Sequence, residues 1–237
     1  MDNASHKFFS IIGHFLREIV TFLLQLCYNE AAMEKRNYQK ELDAVTGSLT
    51  GRPALLLQSC CGPCSSYVLE YMTQYFDVTV YYYNPNIRPE AEFQRRLDTL
   101  KQLLASMPLE HPAVLLEPEW RGDEFFRAVQ GLQSEPEGGA RCAACFRLRL
   151  EETARTAVEW GFDYFGTTLT VSPHKNAEII NRIGEKLGEE YGIKWLPSDF
   201  KKRNGYLRSI QLSKEYGLYR QEYCGCGMAG NLTASGS

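Results

Sequence analysis

The sequence predicts an α/β fold, a mostly parallel five-stranded sheet with helices on both faces. Three observations carry this. Short apolar or β-branched runs alternate with longer segments of helical period. Glycine and proline punctuate most junctions, and no repeat or low-complexity stretch breaks the alternation. Strands that alternate with helices read as βαβ units, which build parallel sheets covered on both sides.

Glu34 to Val45 has the period of a polar helix, closed by the breaker stretch from Thr46 to Pro53. Ala54–Gln58 is a short apolar run suited to a buried strand, and Ser65 to Tyr75 follows with helical character. Asp77 to Tyr83 is rich in β-branched and aromatic residues, which favour strands. After the loop Asn84 to Arg88, Pro89 is placed to open a helix over Glu90 to Met107. A third strand is expected over Ala113 to Glu117 and a helix over Glu119 to Leu132. Arg141 to Trp160 reads as a helix ended by Gly161. Strand four is expected over Asp163 to Leu169, a helix over Pro173 to Tyr191, and a short fifth strand over Ile193 to Leu196.

At 237 residues the chain suits one large domain with a small appendage. Its net charge of −3 excludes a strongly basic, indiscriminate nucleic-acid binder, though not a local basic strip. Residues 1–32 form an expected helical extension. Phe8, Ile12, Phe15, Ile19, Phe22 and Leu26 share one face, and His14, Arg17, Glu18 and Gln25 lie opposite. That pattern is amphipathic, broken by charge too often to span a membrane, and suited to docking on its own domain or a partner. The catalytic domain is expected over 33–226, with a flexible tail over 227–237.

Eight cysteines are present. Cys27 stands alone at the end of the amphipathic stretch and reads as a packing residue. The other seven form three groups, Cys60-Cys61-x-x-Cys64, Cys142-x-x-Cys145 and Cys224-x-Cys226. Adjacent cysteines rarely meet disulfide geometry with each other. Grouped thiols in a chain without a secretory pattern point to metal ligation or redox chemistry in the cytoplasm. Cys61-Gly-Pro-Cys64 between a strand and a helix also suits a thioredoxin-like thiol–disulfide oxidoreductase. That reading leaves five cysteines unused. Four thiolates suffice for one zinc or one four-iron four-sulfur cluster, so seven suggest such a cluster beside a second iron or a redox thiol set. In an open parallel sheet, ligands sit beyond the carboxyl ends of the strands, where the three groups can converge.

Several blocks carry a resemblance. They are Leu-Leu-Leu-Gln-Ser-Cys-Cys-Gly-Pro-Cys-Ser-Ser (55–66), Tyr-Asn-Pro-Asn-Ile (83–87), Glu-Pro-Glu-Gly-Gly-Ala-Arg-Cys-Ala-Ala-Cys-Phe-Arg-Leu-Arg-Leu (135–150) and Phe-Gly-Thr-Thr-Leu-Thr-Val-Ser-Pro-His-Lys (165–175). Asp199-Phe-Lys-Lys, Gly-Tyr-Leu-Arg-Ser (205–209) and Leu-Tyr-Arg-Gln-Glu-Tyr-Cys-Gly-Cys (218–226) complete the set. Together they resemble the cobalamin-independent epoxyqueuosine reductase family, QueH. Gln58 stands where the family usually has His, Gly62 where it has Ala, and Phe146 where it has Tyr. Gln58 therefore offers no acid–base group.

The resemblance implies an adenine-nucleotide-hydrolase-like fold and the last step of queuosine biosynthesis, reduction of epoxyqueuosine to queuosine in tRNA. It implies a tRNA partner, an external electron donor, a four-iron four-sulfur cluster and a second iron site, held by Cys60, Cys61, Cys64, Cys142, Cys145, Cys224 and Cys226. In the matched blocks Asp199 and Tyr206 are the candidate proton donors. Thr167, Thr168, Lys175, Arg203, Arg208 and Arg220 are candidate substrate contacts, the basic ones for phosphate. Tyr81 to Tyr83 and Tyr219 are candidates to stack a flipped-out base. An iron–sulfur tRNA-thiolation enzyme and a zinc-stabilised RNA-binding module are the remaining alternatives.

Overall fold

The computed structural model describes residues 36–228. The expected N-terminal amphipathic helix and the tail from 229 onward lie outside these residues. Five strands, β1 (Ala54–Gln58), β2 (Asp77–Tyr81), β3 (Val114–Leu116), β4 (Tyr164–Thr167) and β5 (Lys194–Trp195), pair entirely in parallel in the order β3-β2-β1-β4-β5. β1 is central, and its residues Leu55 to Gln58 are fully buried, which accounts for its unbroken apolar run.

The pleat of β1 divides the core. Leu55 and Leu57 enter one layer with Val68, Leu69, Phe93 and Leu100. Leu56 enters the other with Phe165, Leu150, Ile180 and Leu187. The first layer is built on α1 (Tyr38–Gly47), α2 (Gly62–Met72), α3 (Glu90–Ser106) and α7 (Gly205–Glu215). The second is built on α5 (Ala140–Glu159) and α6 (Ala177–Tyr191), with the short α4 (Gly122–Ala128) against α5. Helices thus cover both faces, as the alternation predicts.

Local departures have physical reasons. α2 starts at Gly62, not Ser65, because Pro63 suits the first turn of a helix and Cys64 follows it there. The expected helix over Glu119 to Leu132 shrinks to α4. It stops before Gly131, whose φ of 80° no helix accommodates. α6 starts at Ala177, not Pro173, because the Asn176 side chain caps it by accepting from the backbone N–H groups of Glu178 and Ile179. α7 is a helix that the reading of the sequence lacks. It packs on α2, where Gly205 lets the backbone approach the Tyr67 ring. Packing of this kind is what stabilises a helix only 11 residues long.

β1 and β4 are neighbours reached by crossovers on opposite faces of the sheet. Their carboxyl ends therefore open a crevice at the point where strand order reverses.

Candidate metal centre

At the end of β1, Gln58 closes the floor of this crevice. Its Nε2 donates to the carbonyls of Ser59 and Tyr83 and to Asn84 Oδ1, and its Oε1 accepts from Thr167 Oγ1 at 2.8 Å. Asn84 Nδ2 donates to the Ser59 carbonyl at 2.7 Å. The amides tie β1, β2 and β4 together under the cysteines that come next.

Cys61 is the residue before α2, so the first thiol group surrounds a helix N-terminus, where partial positive charge favours thiolate. The Sγ atoms of Cys60, Cys61 and Cys64 all lie within 4.8 Å of one another, with Cys60 and Cys61 3.7 Å apart. Sulfurs tetrahedral about one ion at about 2.3 Å sit about 3.8 Å apart, so the trio fits a single metal ion. Hydrogen bonds with Cys60 and Cys64, then one from Gln221, hold the Cys61 thiol well below its ordinary pKa. Cys60 is pushed up to about 12 and Cys64 is raised as well, chiefly by hydrogen bonding within the same trio. One thiolate among three crowded thiols is what mutual repulsion permits; a bound cation would let all three ionise.

The other four cysteines gather across the crevice. Cys142 and Cys145 share the buried face of α5 at i, i+3. Cys145 and Cys226 pack in one cluster with Phe125 and Val129, bordered by Cys224. The Cys224 and Cys226 sulfurs are 3.6 Å apart. That hydrogen bond, and then the charge of Lys175 with its Nζ 4.0 Å away, bring Cys224 down to about 5. Cys226 is raised by the same bond and by burial. Burial raises Cys145, against the pull of Arg149.

The three groups therefore meet at one mouth. Gln221 donates to Cys61 Sγ at 3.3 Å, and the Arg88 N–H donates to the carbonyl of Gly225 at 2.8 Å, which seats the last pair beside the loop after β2. Cys60 and Cys142 border the same core cluster, and the buried Arg149 acts electrostatically on both Cys60 and Cys145. The donor set fits metal: Cys60, Cys61 and Cys64 bring three sulfurs within reach of one ion, Cys224 and Cys226 bring two more close together, and Cys61 and Cys224 are already biased to thiolate.

The remaining candidates divide. Thr168 Oγ1 is buried at the crevice without a hydrogen-bond partner, whereas Thr167 Oγ1 is taken by Gln58. Lys175 lies between Cys224 and Glu137, to which it bonds at 3.1 Å. Asp199 forms an ion pair with Lys201 at 2.7 Å. Arg220 lies over the Tyr206 ring, 5.3 Å from its centroid. Arg203 pairs with Asp43 at 2.5 Å, and Arg208 forks onto Glu70 at 2.9 and 2.5 Å. Tyr81, Tyr82 and Tyr83 are core residues, almost wholly buried, and cannot stack a base.

Gln221, Arg96 and Arg149 are site residues that reading the sequence misses. Arg149 had a visible signal, since it falls at i+7 from Cys142 and i+4 from Cys145 on a buried helix face. Gln221 and Arg96 had none.

Comparison with known proteins settles the family. The model of the family described as epoxyqueuosine reductase QueH matches residues 55–231. The chain belongs to this family. Epoxyqueuosine reductase QueH of Streptococcus pyogenes serotype M1 is 44% identical over 215 residues, covering 89% of this chain and 84% of that protein. The Thermotoga maritima QueH is 34% identical over 178 residues, covering 73% and 88%. Among solved structures, the U34-tRNA thiolase NcsA from Methanococcus maripaludis with its [4Fe-4S] cluster superposes with a TM-score of 0.50 at 13% identity. The match covers 80% of this chain and 66% of that one. It shows a shared α/β fold. Among the described residues, no helix is long and apolar enough to cross a membrane.

Proposed function

We propose that this QueH family member is an epoxyqueuosine reductase that converts epoxyqueuosine to queuosine in tRNA. In this step the epoxide takes two electrons and two protons, both C–O bonds to its oxygen break, an alkene forms and the oxygen leaves as water. The observation that carries the reading is the close-packed trio of Cys60, Cys61 and Cys64 at the crevice between β1 and β4, with the Cys224–Cys226 segment latched beside it through Gln221. We assign an iron–sulfur cluster to Cys142, Cys145, Cys224 and Cys226 and a single iron to Cys60, Cys61 and Cys64. When bound, these centres supply single electrons and a Lewis acid.

The chain's own residues do the rest. Gln58 and Asn84 hold the loop that carries Cys60 and Cys61. Thr168 Oγ1 offers a free hydrogen bond to substrate at the same edge. Tyr206 is the preferred proton donor. It lies under Arg220, and the next residue along, Gln221, bonds to Cys61. Asp199 is the second candidate. The tRNA substrate places the work in the cytoplasm, with an external electron donor. Residues 1–32 are assigned to an appendage dispensable for reduction and available to a partner.

The test incubates protein reconstituted with iron and sulfide, a reductant and epoxyqueuosine-containing tRNA, then reads queuosine by mass spectrometry. Conversion is expected from the whole chain and from a chain begun at Met33. No conversion by protein that carries its iron defeats the reading. Cys→Ala variants in the two groups should lose different amounts of iron, with sulfide lost only from the four-cysteine group. Equal losses from both groups defeat the division.

A further inference from the structure

Several arginines among the described residues are spent on neighbouring carboxylates. Arg52 pairs with Asp77, Arg96 with Glu92, Arg147 with Glu190, Arg155 with Glu152, Arg203 with Asp43 and Arg208 with Glu70. Arg88 and Arg127 belong to those that are not so paired, as does the exposed Arg95, whose guanidinium lies over the Tyr219 ring. Arg88 and Arg127 are both exposed, and neither is bound to an acid among the described residues. The two line one cleft of about 440 Å³ with Trp120, Arg121, Asp123 and Phe126. That volume lies within the small-ligand range of roughly 300–1,000 Å³ and admits a nucleotide.

The cleft is held open by local structure. Gly122 lies against the face of Trp120, where any Cβ would strike the indole, and Trp120 is anchored by its Nε1–H to the Ile87 carbonyl at 3.1 Å. The guanidinium of Arg88 lies over the Phe126 ring, 4.2 Å from its centroid, so an aromatic backs the cation. Guanidinium planes and aromatic faces are the surfaces on which unpaired RNA bases stack, and free guanidinium edges bind phosphate.

Its position matters as much as its chemistry. α4 separates the cleft from the cysteines. Phe125 faces Cys145 and Cys226, while Phe126, the next residue, carries Arg88. The Arg88 N–H bonds to the carbonyl between Cys224 and Cys226. A chain seated in the cleft would therefore run past the cysteine mouth.

We propose that the Arg88–Arg127–Phe126 cleft binds a single-stranded nucleotide neighbouring the one that is reduced, with Arg88 and Arg127 on its phosphates. This inference rests on the tRNA reading above and names the surface that reading leaves open. It also moves the phosphate contacts away from Arg203 and Arg208, whose charges are already neutralised.

The test measures binding of an unmodified anticodon stem–loop RNA to the full-length, metal-reconstituted protein over a range of salt. Arg88→Gln/Arg127→Gln should weaken binding about tenfold and lower the salt slope by about 1.4, the value for two phosphates of a single strand. Iron content should be unchanged. Arg203→Gln/Arg208→Gln should lose less than about threefold. Unchanged affinity and slope in the first double variant, a loss confined to the second, or a fall in iron with normal binding would each overturn the proposal. Epoxyqueuosine reduction by the wild type is followed in parallel. Its absence alongside the expected binding pattern defeats the functional reading and leaves the cleft. Its presence with unchanged binding in the first double variant defeats the cleft alone.

Discussion

The Gln221 side-chain amide donates to Cys61 Sγ at 3.3 Å, joining residues 160 positions apart. The bond latches the segment carrying Cys224 and Cys226 onto the N-terminus of α2, where the other thiol group begins. Outer partners of this kind set ligand orientation and charge. Gln221→Leu should lower metal affinity or activity by about 10–100-fold while the fold persists. Chelator competition followed by iron colour reads the affinity. Wild-type metal retention in the variant would show that the contact has no such role.

Gly62 opens α2 at a close helix–helix approach. A Cβ there would come within 2.8 Å of the Thr99 carbonyl oxygen, because the start of α2 lies directly on α3. Gly62→Ala should therefore cost about 1–3 kcal/mol of stability, as overpacking does. Chemical denaturation checks this. A gain in stability would mean that α3 yields without strain.

Glu92 and Arg96 form a buried pair on α3 at 2.6 Å, with side chains 7% and 5% exposed. The pair anchors the final cysteine segment. Tyr219 donates to Glu92, and Arg96 faces the Tyr223 ring and packs against Gly225. Arg96→Met strands a buried carboxylate and should cost about 3–5 kcal/mol, whereas adding Glu92→Gln should recover part of the loss. A double variant as unstable as the sum of the two singles would show that the residues are not coupled.

Cys224 titrates at about 5, lowered first by its bond with Cys226 and then by Lys175. In metal-stripped protein at about pH 6.5 it should be alkylated well before Cys226, which burial and the same bond hold protonated. Removing the cation destabilises the thiolate, so Lys175→Met should raise the Cys224 pKa and slow its alkylation at that pH. Mass spectrometry of iodoacetamide-treated protein reads both. Equal labelling of Cys224 and Cys226 would contradict the arrangement.

Much of the fold could be read from contiguous residues. Ala54–Gln58 shows itself a central strand because both of its faces are apolar, and the long α5 because its apolar positions recur at helical period. The seven cysteines showed their grouping by spacing, and the family showed itself by blocks in order. α7 and the late start of α6 did not show. One depends on docking against α2, and the other on an Asn cap that outweighed a run of helical period.

Distances between remote segments were written nowhere in the local pattern. Seven thiols could be counted along the chain, but that Cys60, Cys61 and Cys64 crowd within 4.8 Å of one another, and that Gln221 brings the last pair beside them, came only once α2 and the last loop had closed on one crevice. Charge behaved in the same way. Arg203 and Arg208 look available to phosphate until Asp43 and Glu70 are seen beside them, while Arg88 and Arg127 line the cleft with no acid bound to them among the described residues. Helix and strand follow from periodicity within a dozen residues. Ligand sets and net local charge are sums over neighbours in space, and only the folded chain supplies those neighbours.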